Sequence, residues 1–482
     1  MDDMSDRRLM GIDLGIRTAH HAVITDNAGV VICRRRASPT RDSLQQLEAA
    51  ALAGAEPGTR LVVVMEPTGA AWLPVAVFFV RRGHTVYRVS SAKAAALRKF
   101  LSRHAKSNRI DAVVLARLPL VDPDGHVPLE LPTAAHATLR RHARAADRLT
   151  EQITARKQRI RDLGRQCYPL LGLVVTGELA KADIAVLVRW PHPRRLLRAG
   201  HAAVARLIAK VARGNLDAHT RATGWIAVAR EAVAVYGEDD PAVPFDDWGA
   251  EIASEARILS ALQAERTCHA TAREDAYRDV DPDELARSLP GVAAIGGPVL
   301  VAGLGRPGRF PNAHAFKAFV GLAPKASETG DTDSKGQPIS KAGPSWLRDQ
   351  LLQTANTARR IDPQLAAVYH THMVHRGAHH QKALTVVAAK LAERFWTVMA
   401  RGTPYVICDV DGTPVTAVDA AAIIAERYTV PDDVRAHRRA RKPRSGKAPH
   451  DASVTRPVRG DLPTRASSTA GNAQVKTPIP ST

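Results

Sequence analysis

The sequence predicts an N-terminal α/β layer, a helical middle with two long helices, a mainly α C-terminal section and a basic tail. Three observations carry this reading. Short apolar runs alternate with helical stretches in the first hundred or so residues. From Thr133 to Cys167 apolar residues recur every seventh position. Aromatics make up only 4% of the 482 residues while hydrophobic residues reach 45%, and Ala and Arg abound, a balance that favours helix.

The elements follow in order. "LMGIDLG", "AHHAVIT" and "VVICRRR", with "DNAG" as a turn, read as strands over residues 9–36. Residues 42–54 read as helix and "RLVVVME" as a short buried strand. A helix from about Ala71, the strand "HTVYRVS" and a helix from about Ser91 continue the alternation. Leu139, Ala146, Ile153, Ile160 and Cys167 then mark a seam. Leu149 and Leu163 fill two of its intermediate positions; His142 and Arg156 interrupt the others. Such a seam suits a coiled coil or a single amphipathic helix packed on its own domain. Residues 170–235 read as helix without a chemical motif, and residues 247–279 as a second long helix able to pair with the first. Residues 285–325 read helix–loop–helix, and residues 326–343 as a polar Gly-rich loop. Pro344 suits a helix start, and a further helix spans about Gln381 to Met399. Domains are therefore expected at 8–130, at 133–280 with long helices 133–167 and 247–279, and at 281–410, with a disordered basic tail at 430–482.

The net charge of +20 points to a polyanionic partner, or more plainly to a solvated basic surface and tail. The four cysteines are scattered and form no CxxC, which argues for a reducing compartment and against zinc. No apolar run is long enough to span a membrane and no secretory h-region opens the chain, so a cytoplasmic location without membrane contact is expected.

Three carboxylates stand where chemistry would need them. Asp13 lies in a strand, opposite in face to Ile12 and Leu14. Glu66 ends the buried strand, and Asp111 begins a later helix. A strand Asp, a strand-end Glu and a helix Asp form the ribonuclease H-like pattern, in which clustered carboxylates hold a divalent ion for phosphodiester chemistry. Plainer readings are available for each: turn amides for Asp13, a surface strand end for Glu66, and a helix start at Ser107 or Asn108 that favours Asp111. "GIDLG" also suits an actin-like ATPase, but no second Gly-rich Asp loop follows.

"GIDLGIRTAHHAVITDNAG", "VVMEPTGAAWLPVAVFFVRRGHTV" and "KSNRIDAVVLARL" resemble the RuvC-like N-terminal domain of the DEDD transposases, the insertion-sequence family numbered one hundred and ten. "LARSLPGVAAIGGPVLVAGLG", "RFPNAHAFKAFVGLAP" and "GQPISKAGPSWLRDQLLQTA" resemble the family's C-terminal transposase domain. The segment from Pro363 to Tyr405 resembles its closing helices. The resemblance implies a recombinase that inserts and excises its mobile element. It implies Mg²⁺ or Mn²⁺ held by RuvC-like acids, a phosphoserine intermediate, and a structured element-encoded bridge RNA that selects DNA. It also implies a dimer of dimers assembled through the coiled coil, working on the DNA of a bacterial nucleoid.

Carried over by position, Asp13 matches the first acid, Glu66 the second and Asp111 the fourth. Asn108 stands where the family usually has Asp; its amide oxygen can ligate but brings no charge. The nucleophile falls to Ser327 or, in strict register before Gly330, to Thr329, the stiffer of the two. "LPGVAAIGGPVLVAG" resembles a helix–hairpin–helix whose Gly291, Gly296 and Gly297 would offer amides to phosphates. Lys335, Lys341 and Arg348 suit scissile-phosphate contact. Arg81, Arg82, Arg98, Lys99, Arg103, Lys106 and Arg109 form a basic face suited to RNA. The tail "RAHRRARKPRSGK" suits nonspecific nucleic-acid binding or plain solubility. His370, His372, His375, His379 and His380 lack Cys or acid partners, which argues against a metal there. The competing readings are a catalytically impaired nucleic-acid-binding relic, which Asn108 favours, and another ribonuclease H-like nuclease such as a junction resolvase, which the C-terminal domain disfavours.

Overall fold

Strand β1 (Arg7–Asp13) is buried on both faces, and the reason is visible in its sequence. Met10 and Ile12 point to one side of the sheet, Leu9 and Gly11 to the other. A strand that is apolar on both faces belongs in the middle of a covered sheet. In the computed structural model β2 (His20–Thr25) and β3 (Val31–Ala37) extend it antiparallel on one side, and β4 (Arg60–Met65) and β5 (Thr85–Arg88) parallel on the other. The order is β3-β2-β1-β4-β5. The structure describes residues 7–89, 94–95, 108–123, 125–214, 216–237, 243–325, 328–329, 332–333 and 337–440, without the side chains at 108–111, 328–329, 332–333 and 438–440.

Helices cover both faces. α1 (Arg41–Leu52) and α2 (Trp72–Arg81) pack Leu44, Leu47, Val75 and Phe79 onto Met10, Ile12 and Met65. Glu48 of α1 is buried and bonds Arg82 and His84, locking α1 to the loop before β5. On the other face α3 (Asn108–Val121) sets Val114, Leu115 and Leu118 against Leu9, Val62 and Val64. The helix expected from about Ser91 lies largely outside the described residues.

The middle section is two long helices with a cap. α4 (Ala134–Cys167) and α9 (Phe245–Val280) run antiparallel. Arg156 reaches both carboxylate oxygens of Glu255 at 3.1 Å, Arg159 pairs with Glu251, and His142 meets His269 at 2.8 Å. The two polar interruptions of the seam are thus matched across the pair, and the seam of α4 is covered within this chain. Between them α5 (Leu171–Val174), α6 (Lys181–Arg189), α7 (Pro193–Ala212) and α8 (Ala218–Tyr236) build a separate core with Ile153, Ile160, Ile252 and Leu259.

The opposite ends of α4 and α9 enter the C-terminal core. Leu139, Ala143, Ala276 and Tyr277 pack with α10 (Gly296–Leu304), α11 (Ala313–Val320), α12 (Ser345–Ala358), α13 (Pro363–His370) and α14 (His380–Arg401). Here Asp362 is fully buried, caps α13 through Leu365 N at 2.8 Å, and accepts from Arg394 at 3.3 Å and Tyr405 at 2.6 Å.

Two expectations need correcting. The C-terminal section does not stop at residue 410, since Cys408 bridges Pro414 and α15 (Ala417–Arg427) packs against α13. Nor is the chain disordered from residue 430. α16 (Asp432–Ala440) forms because Asp432 and Asp433 sit in its first turn, Arg435 pairs with Asp432, and Val430 and Val434 anchor it to the core. Residues 441–482 lie outside the described part.

Candidate active site

Two acids meet through strand register. β1 and β4 are parallel, with Ile12 level with Met65. Asp13 and Glu66 therefore follow side by side at the carboxyl ends of adjacent strands, about 4.8 Å apart in the pairing direction. Alternation puts both on the face that α3 covers, since Leu9, Val62 and Val64 share it.

The third acid arrives by a close approach of backbones. A Cβ at Gly11 would sit 2.0 Å from Ala112 O and 2.3 Å from Ala116 N. Only glycine lets the first turns of α3 lie directly on β1. This contact brings the start of the helix, where Asn108 and Asp111 are one turn apart, to the strand that ends in Asp13. The described part of α3 begins at the backbone of Asn108. The side chains of Asn108, Arg109 and Asp111, and all of Lys106 and Ser107, lie outside the described residues. Among the described residues no three His, Cys, Asp or Glu groups converge as a metal site would need.

Residues 326–343 turn out to begin and end as a two-stranded ribbon. Pro324 bridges Ile339, Lys325 N donates to Pro338 O at 2.9 Å, and Ser340 N to Ala323 O at 2.8 Å. Further out β6 (Glu328–Thr329) pairs with β7 (Thr332–Asp333). Thr329 is thus placed by its backbone opposite Thr332, whereas Ser327 and Lys335 lie outside the described residues. The dipeptide between the paired threonines, Gly330-Asp331, was the available hairpin signal. At the foot of the ribbon Lys341 is exposed and left-handed, with φ 54°, a conformation that costs a non-glycine residue energy. Arg348 directs its guanidinium to Val320 O at 3.2 Å and Gly343 O at 3.4 Å, bracing this foot.

The glycine turn is closely packed. Gly296 and Gly297 are buried, and Gly297 N is already given to Ala293 O at 3.2 Å. Gly291, at φ 77°, lies so close to α12 that a Cβ would be 2.7 Å from Ala358 N. Packing explains all three, and the exposed part of the turn is residues 293–295. The histidines have local partners as well: His379 caps α14 through Lys382 N, His380 bonds Tyr369, and the rings of His370 and His375 meet edge to face.

Comparison with known proteins gives a consistent picture. Residues 10–169 match the family model for DEDD transposases of IS110 type, described as transposase. Residues 283–370 match the model described as the transposase IS116/IS110/IS902 family, so the two cover more than half of the chain. The transposase ascribed to the IS117 mini-circle of Streptomyces coelicolor is 26% identical over 345 residues, covering 69% of this chain and 80% of that protein. An uncharacterized 44.8 kDa protein of insertion element IS116 from Streptomyces clavuligerus is 24% identical over 401 residues, covering 83% and 96%. Among the described residues no helix is long and apolar enough to cross a membrane.

Proposed function

Because the chain belongs to the IS110 family of transposases, we propose that it inserts and excises its own mobile element at a centre formed by Asp13, Glu66 and Asp111, with Asn108 in the fourth position. It is a DNA-binding transposase, and its DEDD-type domain works with a divalent metal. The observation that carries the site is the register: two carboxylates end adjacent parallel strands on the face where α3 begins. Carboxylate oxygens suit Mg²⁺ or Mn²⁺, which when bound would offset charge developing on the scissile phosphate. The protein's own part is to hold these oxygens on a rigid sheet edge and to present the nucleophile from the ribbon. Ser327 is the first choice for that nucleophile and Thr329 the second. Lys341, exposed at the ribbon's foot, and Lys335, Lys106 and Arg109 supply positive charge for the phosphate. Arg348 acts by bracing the ribbon.

The sheet order supports a RuvC-like domain over residues 8–130, followed by the helical region 133–280 and the transposase domain from 281. The reading includes a phosphoserine-type intermediate, a structured bridge RNA that selects DNA, action on the DNA of a bacterial nucleoid, and a dimer of dimers. Since α9 covers the seam of α4 in this chain, subunits would meet on the outward faces of that pair.

The test is to incubate the protein with its element's RNA, junction DNA and Mg²⁺ and to look for covalent protein–DNA adducts. An adduct lost in Ser327→Ala and kept in Thr329→Ala assigns the nucleophile. Adducts that survive Asp13→Asn and Glu66→Gln would sink the proposed centre. Asn108 favours a second reading, a relic that binds nucleic acid without cutting; it predicts no wild-type adduct but one in Asn108→Asp.

A further inference from the structure

We propose that Arg88, Arg140 and Arg309 line a cleft that grips a backbone phosphate of a nucleic-acid strand lying beside the acid centre. This rests on the transposase reading but involves none of the residues assigned above. The three come from distant parts of the chain: the end of β5, the first turns of α4, and a 3₁₀ turn at Pro307–Arg309. Arg88 stacks on Trp72 with its guanidinium carbon 4.5 Å from the ring centroid. The guanidinium carbon of Arg309 lies 4.5 Å from the ring centroid of Phe319 and 5.0 Å from that of Phe310. A guanidinium that rests on an aromatic ring and not on a carboxylate has N–H groups left for bidentate bonding to phosphate.

Among the described residues none of the three pairs with a carboxylate. They act on one another instead. Burial, then Arg140 and Arg88, pulls Arg309 down to about 10. Burial, then Arg88 and Arg144, lowers Arg140. Burial lowers Arg88. Yet Arg88 and Arg140 are exposed and Arg309 only half-buried. Solvent thus still reaches three cations that protein and one another crowd. Like charges gathered without a counter-charge are costly, and an anion relieves the cost.

The place fits a strand of nucleic acid. Arg88 is level with Met65, one residue short of Glu66 on the next strand, though on the other face of the sheet. A nucleic-acid strand that crosses this end of the sheet would pass Arg88 on one face and the acids on the other. The C-terminal section is tied to this edge, since Arg306 bonds Glu130 at 2.9 Å and Leu129 N bonds Val86 O at 2.7 Å. A strand in the cleft would touch both sections at once.

The test measures binding, not cutting, so it stands apart from the fate of the acids. Fluorescence anisotropy is read on a generic DNA duplex and on a single-stranded RNA across a salt series. The proteins are the wild type, the triple variant Arg88→Gln/Arg140→Gln/Arg309→Gln, and Arg206→Gln, an exposed arginine of α7, as control. The triple variant should bind on the order of tenfold more weakly, and its slope of log affinity against log salt should shrink by about 0.9 for duplex DNA or about 0.7 for the single strand. Loss in either arm supports the proposal and names the strand. Its melting temperature should hold or rise, because repulsion is removed. Wild-type affinity and slope, a fall in melting temperature with no change in binding, or an equal loss in Arg206→Gln would each overturn it. Adducts that survive Asp13→Asn while the triple variant loses binding would remove the acid centre and leave the cleft.

Discussion

Replacing Gly11 by alanine should disable the enzyme without touching any acid. The added Cβ would lie 2.0 Å from Ala112 O and 2.3 Å from Ala116 N, where ordinary contact begins at 3.4 Å. Both obstacles are helix backbone, so no side chain can swing aside, and α3 must lift by roughly 1 Å. Overpacking of this kind costs about 1–3 kcal/mol, and a shift of about 1 Å at reacting groups costs on the order of 100-fold in rate. Asn108 and Asp111 travel with the first turn of α3, whereas Asp13 and Glu66 stay on the sheet. The variant should thus remain folded, with a slightly lower melting temperature, and form adducts about 100-fold more slowly. Gly172→Ala, where a Cβ meets nothing within 4 Å, is the matching control. Wild-type adduct rates in Gly11→Ala would refute the claim that this contact sets the position of the fourth acid.

Other expectations concern the scaffold. Asp362→Ala leaves Arg394 without its buried partner and should cost roughly 3–5 kcal/mol in urea unfolding; a loss below about 1 kcal/mol would show the network to be slack. Burial alone would raise Glu48, but bonds from Arg82 and His84 outweigh it and hold the carboxyl below its ordinary 4.5. Its stabilising effect is then present above about pH 4.5 and lost as pH falls through the lower folded value, so Glu48→Gln should lower the melting temperature at pH 7 and flatten its fall in acid. Leu139→Ala removes a fully buried side chain and should cost about 2–5 kcal/mol, with faster hydrogen exchange in α12 and α14 although Leu139 lies far from them in sequence.

The sheet was legible because its strands are short apolar runs separated by turn residues, and because Asp13 interrupts one face of such a run. The α4 seam was legible from its spacing, but its polar gaps made sense only once Glu255 and His269 appeared opposite them. Partners across an antiparallel helix pair leave no local mark. The ribbon at residues 324–339 was hidden by its polar composition, which reads as loop even where the backbone pairs. α16 was hidden by its arginines, because its anchors are only two valines and two acids. The glycines of residues 291–297 were legible only in part, because close packing and phosphate contact both demand glycine and the sequence does not separate them. The arginine cleft was invisible, since nothing in positions 88, 140 and 309 connects them before the chain folds.

The two-ended helix pair also sets an order of events at the ribosome. Leu139 and Ala143 belong to a core whose other members, from Ala276 to Val430, are made later. Tyr277 emerges roughly 140 residues after Leu139, a delay on the order of 10 s at ordinary synthesis rates. Through that interval the Leu139 end of α4 has no partner, while the helices of residues 170–236 can begin to pack on its far end. A nascent chain halted before α9 would therefore lack Ile252 and Leu259 in the head core as well as the cover of the stem, a natural target for chaperones and a ready cause of aggregation in truncated copies of the gene.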